Sequence, residues 1–215
     1  MIIAISGKAQ SGKDTICKMI QYCISIYNVD KTRAKYFGID DYTKRLHKYD
    51  LDWCSGTYIH RFAGALKRAV AGILKCDPVF LEDIDFKKSN IDWLNCNGNI
   101  KGNITVRQLL QDLGSVVRES FGKTFWAQCL IHEIDGGTFN IIPDLRYKVE
   151  LETLKNFKMS LLTIRVNRSG VKLLNHSSEI DLDDYKDWDY VIENDGTLED
   201  LLYKVKDFCK EFNLI

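Results

Sequence analysis

The first fifteen residues constrain the fold more than any other stretch: Met1-Ile-Ile-Ala-Ile-Ser6, then Gly7-Lys8-Ala9-Gln10-Ser11-Gly12-Lys13-Asp14-Thr15. The unbroken apolar run reads as a buried strand. From Lys13 to about Tyr27, Ile16, Met19, Ile20 and Cys23 recur at helical spacing. A G-x-x-x-x-G-K segment between strand and helix has a specific physical use. Its glycines let backbone N–H groups converge on an anion, and the helix N-terminus adds about half a positive charge. Gly7, Ser11, Gly12 and Lys13 are therefore candidate phosphate-binding residues, with Lys13 reaching the β- and γ-phosphates. The Ser or Thr usual after the lysine is Asp14, followed by Thr15. A carboxylate is also a hard oxygen ligand for Mg²⁺, directly or through water, so Asp14 and Thr15 are both candidates to face a metal.

The rest of the chain alternates strand and helix signals. Phe62 to Leu74 reads as a helix with Leu66, Val70, Ile73 and Leu74 on one face. Asp85 to Asn103 carries NG, GN and KG turn signals and reads as an exposed loop or short hairpin. Thr105 caps a helix running to about Glu119, and a further helix spans Thr124 to Ile134. Short strands follow at Phe139–Ile142, stopped by Pro143-Asp144, at Met159–Val166 and at Tyr190–Ile192. Thr197 with Asp200 forms a capping box for a last helix striped by Leu198, Leu201, Leu202, Val205, Phe208 and Phe212. Residues 30–60 show no clear period. Such alternation predicts an α/β fold with a mostly parallel sheet. With 215 residues and only Pro78 and Pro143 as prolines, a single domain over 1–215 is expected.

Charge and composition narrow the function. Thirty basic and thirty acidic side chains give zero formal net charge, unlike a bulk nucleic-acid or anionic-membrane binder. No apolar run approaches the ~18–20 residues of a membrane span. The N-terminus, broken by glycine and lysine, does not read as a signal peptide. Seven cysteines without a CxxC pair read as thiols in a reducing compartment. A soluble cytoplasmic protein is the expectation. No Asn-Lys-x-Asp occurs, so a guanine-reading switch is disfavoured, and the size suits a small-molecule kinase.

Phosphoryl transfer asks for positioned charge more than for covalent chemistry. Asp144 and Arg146 sit just past the second strand signal, where doubly wound sheets line their ligand crevice. Asp144 could hold Mg²⁺ through water or accept a substrate hydroxyl, and Arg146 could pair with a phosphate; the plain alternative is a structural Asp–Arg pair. Arg107 and Gln111 lie one helical turn apart and could read a phosphate and a base edge, or simply form a solvated face. Lys67 is weaker alone. Arg165 and Arg168 precede RSGVKLLNHSSE, a candidate lid at about 168–187 containing His176.

Taken together, these motifs resemble the bacteriophage deoxynucleoside monophosphate kinases, a branch of the P-loop nucleoside monophosphate kinase-like family. SGKAQSGKDT is similar to that family's phosphate loop, including its Lys-Asp-Thr ending. RFAGALKRAV resembles its substrate-side helix and carries over Ala63, Gly64 and Lys67. VRQLLQDLGSVVRESFGKTFWAQ carries Arg107, Gln111, Gly114 and Trp126, and IIPDLRYKVE carries Asp144, Arg146 and Glu150. HSSE is similar to the lid's His-x-x-Glu, giving His176 and Glu179. VIENDGTLEDLLYKV resembles the closing segment that borders adenine, making Asn194 and Gly196 adenine-side candidates.

The resemblance implies a three-layer P-loop NTPase fold with a small lid. It also implies transfer of the ATP γ-phosphoryl group, with Mg²⁺, to a deoxynucleoside monophosphate. Lys13, Asp144, Arg146 and Arg168 would form the catalytic set. Lys67, Arg107, Gln111, Trp126, Arg146 and Glu150 would bind the acceptor, and Asp14, Thr15 and Asp144 would face the metal. Small-molecule substrates, no nucleic acid, no membrane, a homodimer and a location in the host cytoplasm are the corresponding expectations. The rivals are a P-loop kinase for another small acceptor, of dephospho-coenzyme A or phosphomevalonate type, and a non-catalytic ATP-binding regulatory module.

Overall fold

A computed structural model of the chain describes residues 1–29, 38–46, 56–92, 104–134, 139–171 and 180–215. The middle of the unplaced 30–60 stretch, most of the expected 85–103 loop, and the centre of the expected lid with His176 and Glu179 lie outside the described residues, as do Cys54 and Cys96. In chain order the elements are β1 (Ile2–Gly7), α1 (Lys13–Val29), α2 (Ile39–Leu46), β2 (Thr57–Ile59), α3 (Gly64–Leu74), a 3₁₀ turn (Pro78–Glu82), α4 (Ile84–Lys88) and α5 (Val106–Phe121). There follow α6 (Phe125–Glu133), β3 (Phe139–Leu145), α7 (Lys148–Lys155), β4 (Leu161–Asn167), β5 (Tyr190–Glu193) and α8 (Leu198–Glu211).

The five strands form one sheet in the order β2-β3-β1-β4-β5, and every neighbouring pair is parallel. β1 is its centre. A parallel strand between covered faces must be apolar at every position, and Ile2, Ile3, Ala4 and Ile5 are all fully buried. The core over this sheet joins Ile16, Met19, Ile20 and Ile24 of α1 to Leu201, Leu202, Val205 and Phe208 of α8. Thr197 and Asp200 cap α8 as its sequence anticipates: Oγ1 of Thr197 accepts from the Asp200 N–H at 3.2 Å, and Asp200 Oδ2 accepts from the Thr197 N–H at 2.8 Å. Thr105 likewise caps α5, accepting from the Gln108 N–H at 3.1 Å. Among the described cysteines all five are free thiols; Cys17, Cys23 and Cys209 are buried and Cys76 and Cys129 half-buried. No helix among the described residues is long and apolar enough to cross a membrane.

One strand end departs from the sequence reading. β3 does not stop at Pro143 but runs on to Leu145. Proline cannot donate to a ladder and is tolerated in a strand chiefly at edges and bulges. Here Ala4 pairs with Ile142 and Ser6 with Leu145, so the register shifts across the proline, while β2 pairs only with Phe139 to Ile141. The bulge absorbs the missing donor.

Packing divides the chain into two compact units, Met1–Arg61 with Glu133–Ile215, and Phe62–His132. The first holds the whole sheet, α1, α2, α7 and α8. The second is helical, built on Val70, Ala71, Leu81, Ile91 and Val106, with Leu66, Leu109, Leu110 and Leu113 against them. Where α3 meets α5, Gly114 allows close approach: a Cβ there would stand 3.0 Å from Leu66 Cδ2. The stretch expected as a loop begins with α4, whose start is fixed by Asp83 accepting from the Phe86 N–H at 2.6 Å. Five residues are too few to show a helical period in sequence.

Candidate functional site

The loop between β1 and α1 has a shape that only particular residues permit. Gly7 has φ 156° and Gly12 φ 99°. A Cβ on Gly7 would stand 2.5 Å from the Val166 carbonyl oxygen, and one on Gly12 would run into Asn194 Nδ2. Gln10 adopts φ 62°. Lys13 folds back over the loop, its ammonium donating to the carbonyls of Gly7 at 2.7 Å and Lys8 at 2.6 Å. Ser11 is 1% exposed, and its Oγ has no hydrogen-bond partner among the described residues. A buried hydroxyl without a partner is costly unless a ligand satisfies it, so this loop fits a phosphate.

The other strands bring charge to the same C-terminal sheet edge, where open α/β sheets hold ligands. Past β1, Lys8 hydrogen-bonds Asp183. From β4, Arg165 gives Nη2 to Asp183 Oδ1 at 2.7 Å and Nη1 to Ser6 Oγ at 3.2 Å. Burial alone would raise the Asp183 carboxyl, but Lys8 and Arg165 outweigh it and hold it below the usual carboxylate range. Arg168 reaches the loop itself, Nη1 to the Gln10 carbonyl at 3.4 Å. From β2, Arg61 Nη2 lies 2.5 Å from Asp14 Oδ1. Asp144, half-buried, is the last residue but one of β3, and Arg146 follows the strand's end at Leu145.

Glu150 sets that turn. Its Oε2 accepts from the Arg146 N–H at 2.9 Å and the Tyr147 N–H at 3.0 Å. Burial pushes its carboxyl up to about 8, and the Asp144 charge adds to the rise against the pull of the two N–H groups and Arg146. Asn194 is likewise committed to structure: Nδ2 donates to the Ser11 carbonyl at 2.8 Å, and its N–H to the Asn167 carbonyl at 2.8 Å. Gly196 lies against Asp200 of the α8 cap, at 2.7 Å from where a Cβ would stand.

The remaining sequence candidates belong to the second unit. Lys67 on α3 pairs with Glu82, Nζ to Oε1 at 2.5 Å. Arg107 and Gln111 are exposed on α5. Trp126 on α6 donates its indole N–H to the Gly114 carbonyl at 3.1 Å. Lys87, which sequence reasoning passed over, joins this group, with Nζ 3.4 Å from the Glu82 carbonyl. Its ammonium is held below its ordinary range by burial, then by the neighbouring Lys67 and Arg107 charges. Arg61, Lys8 and Asp183 are further charged residues to which the sequence reading gives no role. Arg61 and Asp183 meet partners 47 and 175 residues away, which no local pattern reveals.

Comparison with known proteins adds a family. A family model described as deoxynucleotide monophosphate kinase matches residues 58–205, more than half of the chain. The deoxynucleotide monophosphate kinase of Enterobacteria phage T4 is 30% identical over 153 residues, which cover 67% of this chain and 61% of that protein. The deoxynucleotide monophosphate kinase of Escherichia phage RB69 is 33% identical over 115 residues, covering 50% of this chain and 46% of that protein. The matched region thus spans less than two thirds of the length of either relative. The family match begins in β2 and runs through the second unit, β3, β4 and β5 into α8; the chain belongs to the deoxynucleotide monophosphate kinase family.

Proposed function

We propose that this chain transfers the γ-phosphoryl group of ATP, with Mg²⁺, to a deoxynucleoside monophosphate, giving the diphosphate and ADP. The observation that carries this reading is the loop: a glycine-shaped strand-to-helix turn with Lys13 folded over it and the buried Ser11 hydroxyl left to a ligand. Family membership supports the choice of acceptor.

In this reading Lys13 and the loop amides hold the β- and γ-phosphates, where preorganised donors stabilise developing charge without reorganising. Arg168, already at the Gln10 carbonyl, adds positive charge to the transferring group. Arg146, on the turn fixed by Glu150, and Lys67, Arg107, Gln111 and Trp126 of the second unit serve the acceptor. The acceptor phosphate oxygen is ionised near neutral pH, so no dedicated general base is needed. Thr15, Asp144 and the carboxylate of Asp14 are hard oxygen donors of the kind Mg²⁺ takes. The ion would offset the negative charge of the phosphates.

The test is ADP release from Mg-ATP across a panel of deoxy- and ribonucleoside monophosphates. Acceptor-dependent release with a deoxynucleoside monophosphate is expected. Lys13→Ala is expected to lower turnover by about a hundred- to a thousandfold, the scale of one preorganised charge-stabilising group, without unfolding the chain. ATP binding without release for any monophosphate, or near-normal turnover of Lys13→Ala, would count against the reading.

A further inference from the structure

At the start of α1 the chain places a carboxylate where anion binding asks for positive charge. Asp14 follows Lys13 directly, in the first turn of the helix, at the end that attracts anions. A polyphosphate held there would meet that negative charge. The fold brings a cation to it. Arg61 Nη2 lies 2.5 Å from Asp14 Oδ1, across 47 residues of sequence.

The approach is built into the sheet. β2 pairs with β3 from Thr57 to Ile59, and the His60 N–H extends the ladder by donating to the Ile141 carbonyl at 2.9 Å. The His60 ring nitrogen Nε2 is also 2.9 Å from Oδ1 of the fully buried Asn140. Residue 60 is thereby pinned to β3 by both backbone and side chain. Arg61 leaves the sheet at the edge from which the loop and Asp144 emerge. The pair is 36% and 65% exposed, and ion pairs so open to water add little to stability. Folding energy does not account for it. A guanidinium, by contrast, is planar with five N–H donors and matches phosphate oxygens two at a time.

We propose that Arg61 binds the phosphates of the nucleotide held by the loop, and that Asp14 positions it there. Arg61 compensates the acidic residue at the loop, so that the Lys-Asp-Thr ending and Arg61 work as one device. The proposal rests on the reading that the loop holds ATP, and it assigns a phosphate-side role to a residue outside the motif set.

The test is a double-mutant cycle on ATP binding, measured by calorimetry in EDTA so that metal plays no part. Arg61→Gln is expected to weaken ATP by about tenfold or more, the scale of a hydrogen bond to a charged group. In the Asp14→Asn background the same change is expected to cost no more than about threefold, because residues that act together couple. Arg61→Lys, which keeps the charge, is expected to fall between wild type and Arg61→Gln, and this guards against a Gln variant that merely folds badly. Equal costs in both backgrounds, or Arg61→Gln binding ATP as wild type does, overturn the proposal. Wild-type protein that fails to bind ATP overturns it together with the loop reading. If ATP binds with the expected coupling while no monophosphate releases ADP, the assignment of Arg61 is upheld and the proposed reaction alone fails.

Discussion

The absence of a Cβ decides the loop at Gly12. Its φ of 99° is costly for any residue with a Cβ, and the space a Cβ would need belongs to the Asn194 amide, which holds the Ser11 carbonyl at 2.8 Å. Gly12→Ala therefore forces a choice between backbone strain and loss of the Asn194 bond. The expected cost is roughly 1–3 kcal/mol, the scale of one residue held in a disfavoured conformation. Denaturant unfolding should show that loss, and ATP titration should show weakened binding; a variant matching wild type in both would mean that the loop relaxes freely. Gly7, Gly12 and Lys13 were legible in the sequence because their task is local and their spacing states it. The resemblance of VIENDGTLEDLLYKV to a segment that borders adenine makes Asn194 an adenine-side candidate in sequence. Its amide bond to a loop 183 residues away exists only once β1 and β5 lie in one sheet.

At the scale of elements, the turn from β3 into α7 carries a pH dependence of its own. The Glu150 carboxyl, ordinarily near 4.5, rises to about 8 in the fold. Between those values the folded protein keeps a proton that the unfolded chain gives up. Stability from this group is therefore fully present below about 4.5 and is lost as pH rises towards about 8. The thermal midpoint of wild-type protein should fall across that interval. Glu150→Gln, which can still accept from the Arg146 and Tyr147 N–H groups, should flatten the fall. Parallel profiles for the two proteins would place the titration elsewhere. This turn also marks where sequence reading stopped short. β1, α1, α5 and α8 were legible from apolar runs, helical stripes and caps. α7 is only eight residues long, and β2 only three, too short for either period to stand out. Pro143 argued for a strand end because a proline's missing donor is visible in sequence, whereas the bulge that tolerates it is a property of the pairing with β1.

For the whole molecule, the residues of the proposed reading fall in both units. The phosphate loop and Arg146 lie in the sheet unit, and the other acceptor residues proposed, Lys67, Arg107, Gln111 and Trp126, in residues 62–132. No proline-rich linker marks the boundaries at Arg61–Phe62 and His132–Glu133, and the motifs alone showed only the order of the parts. Ligand linkage can separate the two contributions without any turnover. A ligand that binds only the folded chain stabilises it by about 2.7 kcal/mol at a hundred times its dissociation constant, which appears as a raised thermal midpoint. Lys67→Ala combined with Arg107→Ala removes two cations of the second unit, one paired with Glu82 and the other exposed. This double variant should lose the shift given by a deoxynucleoside monophosphate and keep the shift given by ATP. Lys13→Ala should do the reverse. The midpoint of each variant without ligand serves as its own reference, so a general loss of stability cannot imitate either pattern. If the double variant keeps both shifts, the acceptor is held by other residues; if it loses both, the two ligands do not draw on separate units, and the assignment of Lys67 and Arg107 to the acceptor alone falls.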